Sequence, residues 1–122
     1  MQFELCEESL SISDFRFDRL YGESNYLYAL EAFAHENGVS EDSLTNLLYE
    51  QFASSEHKLS GYPFFTQEDP RTEDGMELLF QLNSDDAAQM MWGDLGVANF
   101  FIAPSDLRRG DFSRVLFNWD CH

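Results

Sequence analysis

Three absences bound the chain before any motif is read. No apolar run in its 122 residues approaches the roughly 18–20 residues that a membrane span requires. Cysteine is scarce: Cys6 and Cys121 stand near opposite ends and form no CxxC pair, and a cytosolic setting favours reduced thiols. Positive charge is scarce too, with 7 Lys plus Arg against 23 Asp plus Glu and a net charge of −16. Such a surface repels nucleic-acid phosphate, which disfavours direct DNA or RNA binding. It attracts basic proteins and speeds their encounter; the plainer alternative is that the acidity serves only solubility. The opening MQFELCEESLSI has acid where a secretory signal needs base, and it lacks a long apolar core. The expectation is a soluble, cytoplasmic protein without a membrane partner.

Chemical motifs are missing as well. His35, His57 and His122 show no HxxH or HExxH spacing, and Asp85-Asp86 lacks the glycine and alternating ligands of a calcium loop. No GxSxG elbow is present, and Cys121 has no evident base beside it. His57 and Asp69 could form an orienting pair, but no serine is placed to complete a triad. Gly93-Asp94-Leu95-Gly96 enters a strand rather than a helix, so it is no phosphate cradle. The expectation is therefore no enzyme, no metal and no cofactor.

What is present suffices for a core: 43% hydrophobic and 16% aromatic residues in a length typical of one domain. FELCE (3–7) has the mixed pattern of a short half-exposed strand. Ser11 and Ser13 are N-cap candidates for a helical stretch carrying Phe15, Phe17, Leu20 and Tyr21. ESNYLYALEAFAHENG predicts a helix striped by Tyr26, Leu30, Phe33 and Ala34, stopped at Gly38. VSEDSLTNLLYEQFASS predicts another, capped by Ser40, with Glu41 and Asp42 at the favourable dipole end and Leu44, Leu47, Leu48, Gln51 and Phe52 as its stripe. After this the period falls from 3.6 to 2. MELLFQLN (76–83), VANFFIA (97–103) and VLFNWDC (115–121) read as strands, with a hairpin-like turn between MMW and VANFFIA. SDLRRGDF predicts one helical turn capped by Ser105. Helices followed by strands argue α+β, with N-terminal helices packed on a mainly antiparallel sheet. The division is about 11–56 helical and 57–122 strand-rich, within a single domain spanning 1–122.

Four segments carry a resemblance: GYPFFTQEDPR, LLFQLNSD, MMWGDLGVANFFI and DFSRVLFNWDCH, with LSISDFRFDRLYG upstream. In this order and spacing they resemble the C-terminal half of the YwqG-like family of bacterial proteins, a domain without assigned function. The resemblance implies a usual length about twice this one, built by internal duplication. It also implies that a second copy of this chain could replace the missing half, as a homodimer. Members are similar in size and acidity to immunity proteins of bacterial toxin systems, which is an analogy and not a chemistry.

Two candidate sites follow from the residues. The first is a ligand site beneath Tyr62, Phe64 and Phe65, using Gln67, Asp69 and Arg71 of the QEDPR turn, the strand amides Gln81, Asn99 and Asn118, and Trp92. Each member also has a structural reading. Arg71 would pair with Asp69 or Asp85, and the amides would clamp loop backbone to the sheet. Trp92 would cap the core with its indole N–H on a loop carbonyl, and Trp119 would be core. The second is the acidic helical half, represented by Glu31, Glu36, Glu41, Asp42 and Glu50, as a steering surface for a basic protein partner. The leading expectation is a protein-binding module, immunity-like in manner. The alternative is a small-molecule-binding domain using the first set.

Overall fold

The computed structural model describes residues 2–21, 26–71 and 75–122, except for the side chains of Asp18 and Tyr21. Its elements run α1 (Phe15–Asp18), a 3-10 turn (Arg19–Tyr21), α2 (Tyr26–Asn37), α3 (Glu41–Phe52), β1 (Lys58–Leu59), β2 (Glu77–Asn83), β3 (Val97–Ile102), α4 (Pro104–Arg109) and β4 (Leu116–Asp120). The four strands form one antiparallel sheet in the order β1-β2-β3-β4. The protein is thus α+β, as the change of period predicts. No helix among the described residues is long and apolar enough to cross a membrane.

Alternation gives the sheet two unlike faces. Gln81, Asn99 and Asn118 are register partners across β2, β3 and β4, so they share one face with Leu78 and Phe101. Phe65 packs there against Leu78 and Phe101 to make the buried cluster, with Met76 at its margin. An irregularity between Leu78 and Phe80 shifts the register and turns Phe80 to the other face, beside Phe100.

After β1 the segment 62–71 lies over the inner face, and its path needs Gly61. That residue has φ 84°, and a Cβ there would fall 1.9 Å from Glu8 Oε1, the atom that accepts the Tyr62 backbone N–H at 2.7 Å. A side chain at Gly61 would displace the carboxylate from its partner.

Several local expectations give way to longer-range partners. α1 is capped by Asp14, whose Oδ1 accepts from Arg16 N at 2.9 Å, rather than by Ser11 or Ser13. The Ser13 hydroxyl instead accepts the Phe65 backbone N–H at 2.9 Å. FELCE forms no strand: Phe3 and Leu5 are both exposed and pair with nothing in the sheet. MMW is not a strand either. Met90 makes an isolated bridge to Asp85, and Trp92 N and Gly96 O are both tied to the Ser84 hydroxyl. α4 begins with Pro104 after Ala103, so Ser105 lies inside the first turn and does not cap it. The start of α2 is Tyr26; Glu23, Ser24 and Asn25 lie outside the described residues. Gly38 does end α2 with φ 64°, and Ser40 is the N-cap of α3, without a side-chain cap bond.

Candidate functional site

The QEDPR turn is built into the domain's ionic centre. Pro70 keeps Asp69 extended, and Asp69 Oδ1 accepts the Arg71 backbone N–H at 2.9 Å. The Arg71 guanidinium then pairs with both oxygens of Asp69, from Nε at 2.9 Å and Nη2 at 2.7 Å. The partner is Asp69, not Asp85. The same Nη2 reaches Asp14 Oδ2 at 2.9 Å, and Nη1 donates to Met76 O at 3.2 Å. Arg71 is only 9% exposed and lies against the rings of Phe15, Phe65 and Phe101. Asp69 Oδ2 also accepts Phe15 N at 3.0 Å, which ties the turn to α1. Burial works against the charged form of Asp14, but hydrogen bonds from the Arg16 side chain and backbone and the charge of Arg71 outweigh it. They hold its carboxyl below the usual range.

Two of the strand amides grip the backbone of one residue, Phe64, from both sides. Gln81 Oε1 accepts Phe64 N–H at 2.8 Å, while Asn99 Nδ2 donates to Phe64 O at 3.0 Å. Gln81 Nε2 donates to Ser54 O and Glu56 O, each at 3.0 Å, so this fully buried amide also holds the end of the helical half to the sheet. Asn118 is half-buried opposite Asn99. Gln67 turns outward: its Nε2 donates to Cys121 O at 2.8 Å, and its backbone N–H, like that of Thr66, goes to the Asp120 carboxylate. The inner-face set is therefore brought together, but around the loop backbone.

Trp92 packs its ring against Phe117, centroids 6.0 Å apart, with its indole N–H buried and without a hydrogen-bond partner among the described residues. The bond to a loop carbonyl is not made. Trp119 is 48% exposed and so is not core; alternation from Asn118 puts it on the outer face. His57 meets Asp85, not Asp69: Nε2 lies 3.1 Å from Asp85 Oδ2, and Nδ1 accepts Asn83 N–H at 3.0 Å. Among the described residues no three His, Cys, Asp or Glu side chains are grouped to hold a metal ion, and both thiols are free.

The second set lies in the helical pair. No Lys or Arg occurs between Arg19 and Lys58, and α2 and α3 fill most of that interval. Glu31, Glu36, Glu41, Asp42 and Glu50 are all exposed. None of them is in an ion pair among the described residues. Five of the bases are occupied elsewhere: Arg16 with Asp14, Lys58 with Glu8, Arg71 with Asp14 and Asp69, and Arg109 and Arg114 with Asp106. Between the carboxylates stand apolar side chains in water, among them Tyr28, Phe33, Val39, Leu47 and Tyr49. A groove of about 630 Å³ runs where α2 passes into α3, with Tyr28, Ala34 and Val39 beside Glu31, Glu36 and Glu41. Periodicity points to the acids. It does not point to Tyr28 and Val39, which fall off the apolar stripe; their signal is an aromatic and a β-branched residue where a solvated face needs neither.

A family model described as a domain of unknown function (DUF1963) matches residues 1–121, and the chain belongs to that family. No curated protein matches the chain.

Proposed function

We propose that this member of the DUF1963 family is a non-enzymatic, cytoplasmic protein-binding module whose α2–α3 pair receives a basic partner, in the manner of an immunity protein. The finer likeness, to one half of the duplicated YwqG-like proteins, belongs with this proposal. One observation carries it. A stretch without Lys or Arg folds into two helices whose five carboxylates are exposed and unpaired among the described residues, with apolar side chains interleaved. Acid alone would steer a partner; apolar area beside it holds the partner once it arrives. The groove fits a segment in which Lys or Arg flanks an apolar side chain.

The small-molecule alternative has less support. A ligand at the inner face would have to compete with bonds that Gln81, Asn99, Asp69 and Arg71 already make to Phe64, Phe15 and Met76. The test is affinity capture from a native bacterial lysate at ~0.05 M and ~0.3 M salt, where screening lengths differ more than twofold. Wild type is run beside a Glu31→Lys/Glu41→Lys/Glu50→Lys variant. A basic protein held at low salt, released at high salt and missed by the variant is the expected result. Capture indifferent to both salt and charge reversal would sink the reading.

A further inference from the structure

The two edges of the sheet are guarded very differently. At the β1 edge the strand is two residues long, and Glu8 lies against it, accepting from Lys58 Nζ at 2.9 Å and from Tyr62 N. At the other edge β4 runs five residues, Leu-Phe-Asn-Trp-Asp, with no strand beyond it among the described residues. It has no Lys, no Pro and no bulge, three of the devices that stop an edge from pairing, and its single charge, Asp120, stands at the strand's end and is engaged by the Thr66 and Gln67 N–H groups.

The ladder shows which groups are open. Ser84 N donates to Gly96 O at 3.0 Å, so Gly96, Ala98 and Phe100 belong to the pairs that bond toward β2. Val97, Asn99 and Phe101 therefore bond β4 through Asp120, Asn118 and Leu116. Phe117 and Trp119 are left with their backbone N–H and C=O directed away from the sheet. Their side chains extend the outer-face row of rings. Phe80 stacks on Phe100 at 4.1 Å and Phe100 meets Phe117 at 4.9 Å. The row ends at the open edge, with Phe117 51% exposed.

We propose that β4 pairs antiparallel with β4 of a second copy of this chain, about a two-fold axis at Asn118, joining two four-stranded sheets into one. In this register Phe117 lies opposite the partner's Trp119, and each such pair exchanges both backbone bonds, about four in all. Asn118 lies opposite the partner's Asn118, and Leu116 opposite the partner's Asp120. Two features select a copy of the chain over a foreign strand. The strand is self-complementary: aromatic faces aromatic, and its single charge faces leucine instead of another acid. Its ends also carry opposite signs. Arg108, Arg109 and Arg114 precede it and outnumber Asp106, with which Arg109 and Arg114 pair, and Asp111, while Asp120 ends it beside Asp94, whose carbonyl accepts His122 N–H. Antiparallel pairing sets each basic end against an acidic one, which few surfaces of a chain with net charge −16 could do. The interface uses none of the α2–α3 carboxylates, so it stands or falls independently of the function proposed above.

Sedimentation equilibrium from ~1 to ~100 µM reads it directly. Wild type is expected to approach the two-chain mass, and Trp119→Lys to raise the dissociation constant by at least ~10-fold. Asn118→Cys, in a Cys6→Ser/Cys121→Ser background, tests the register. A non-hydrogen-bonded antiparallel pair sets its Cα atoms about 4.5 Å apart, within disulfide reach, so mild oxidation should give a covalent dimer, while Phe117→Cys should not. A one-chain mass at ~100 µM overturns the proposal. So does a dimer that Asn118→Cys fails to link, which also decides the matter if Trp119→Lys does not fold.

Discussion

The sheet body and the α2–α3 arm use the same acidic residue types in opposite ways. In the body, Asp14 and Asp69 are out of water and each is surrounded by donors: Arg71, Arg16 and backbone N–H groups. In the arm, Glu31, Glu36, Glu41, Asp42 and Glu50 face solvent, and the nearest Lys or Arg in the chain lies outside the helices. A desolvated carboxylate must be satisfied within the fold, because leaving it bare costs several kcal/mol. A hydrated one is satisfied by water and stays open to a partner. The body's charges therefore bear on stability; the arm's, on the function proposed above, would bear on encounter.

The comparison breaks most sharply at Arg71. Arg71→Met strands the buried Asp69 carboxylate and removes one of the two cations on Asp14, and is expected to cost ~3–5 kcal/mol, read as the shift in urea midpoint. Arg71→Lys should recover little, since an ammonium cannot span both oxygens of Asp69 and also reach Asp14 and Met76 O. Next comes Gln81→Leu. It leaves Phe64 N–H, Ser54 O and Glu56 O without their partner and should cost ~1–3 kcal/mol. Asn118→Ala on the same face should fall within about 0.5 kcal/mol of wild type in the monomer.

Acid sharpens the contrast further. Burial opposes the charged form of Glu8, but hydrogen bonds from Ser54, Lys58 and Tyr62 N outweigh it and lower its pKa, as Arg16 and Arg71 lower that of Asp14. Groups held more acidic in the folded than in the unfolded chain add stability that is full above the ordinary carboxylate range, about pH 4–5. That stability is lost as pH falls through the lowered values. Urea midpoints should therefore drop on acidification through and below that range, and Glu8→Gln should flatten the drop. The smallest effect belongs to the arm: Glu31→Lys/Glu50→Lys should change stability by no more than about 0.5 kcal/mol, while abolishing salt-sensitive capture.

Much of the body was legible in its residues. The fall in period from 3.6 to 2 marks β2, β3 and β4, and Gly38 marks the end of α2. Asp69 with Arg71 is a local pair that a proline holds in register, so two residues of sequence separation suffice to see it. The clamping role open to the strand amides is the one Gln81 and Asn99 adopt. Other features were not legible because two donors or acceptors compete and only position decides. Ser13 has the chemistry of a helix cap, yet Phe65 N–H, 52 residues away, takes its oxygen and leaves the cap to Asp14. Trp119 has the composition of core, yet it lies on the sheet face away from the buried cluster. MMW has strand residues, yet the Ser84 hydroxyl bonds Trp92 N and bends the segment into turns.

By itself the sequence determined the α+β class, the antiparallel strands, the base-free acidic stretch and the turn that holds Arg71. Each of these depends on spacing along the chain or on composition. Only the tertiary structure decided that the QEDPR turn is an ionic centre rather than an open site, that the arm's carboxylates stay unpaired among the described residues, and that β4 ends the sheet with its aromatic side chains half in water. Those outcomes depend on which polar groups meet across tens of residues, and local periodicity carries no record of such meetings.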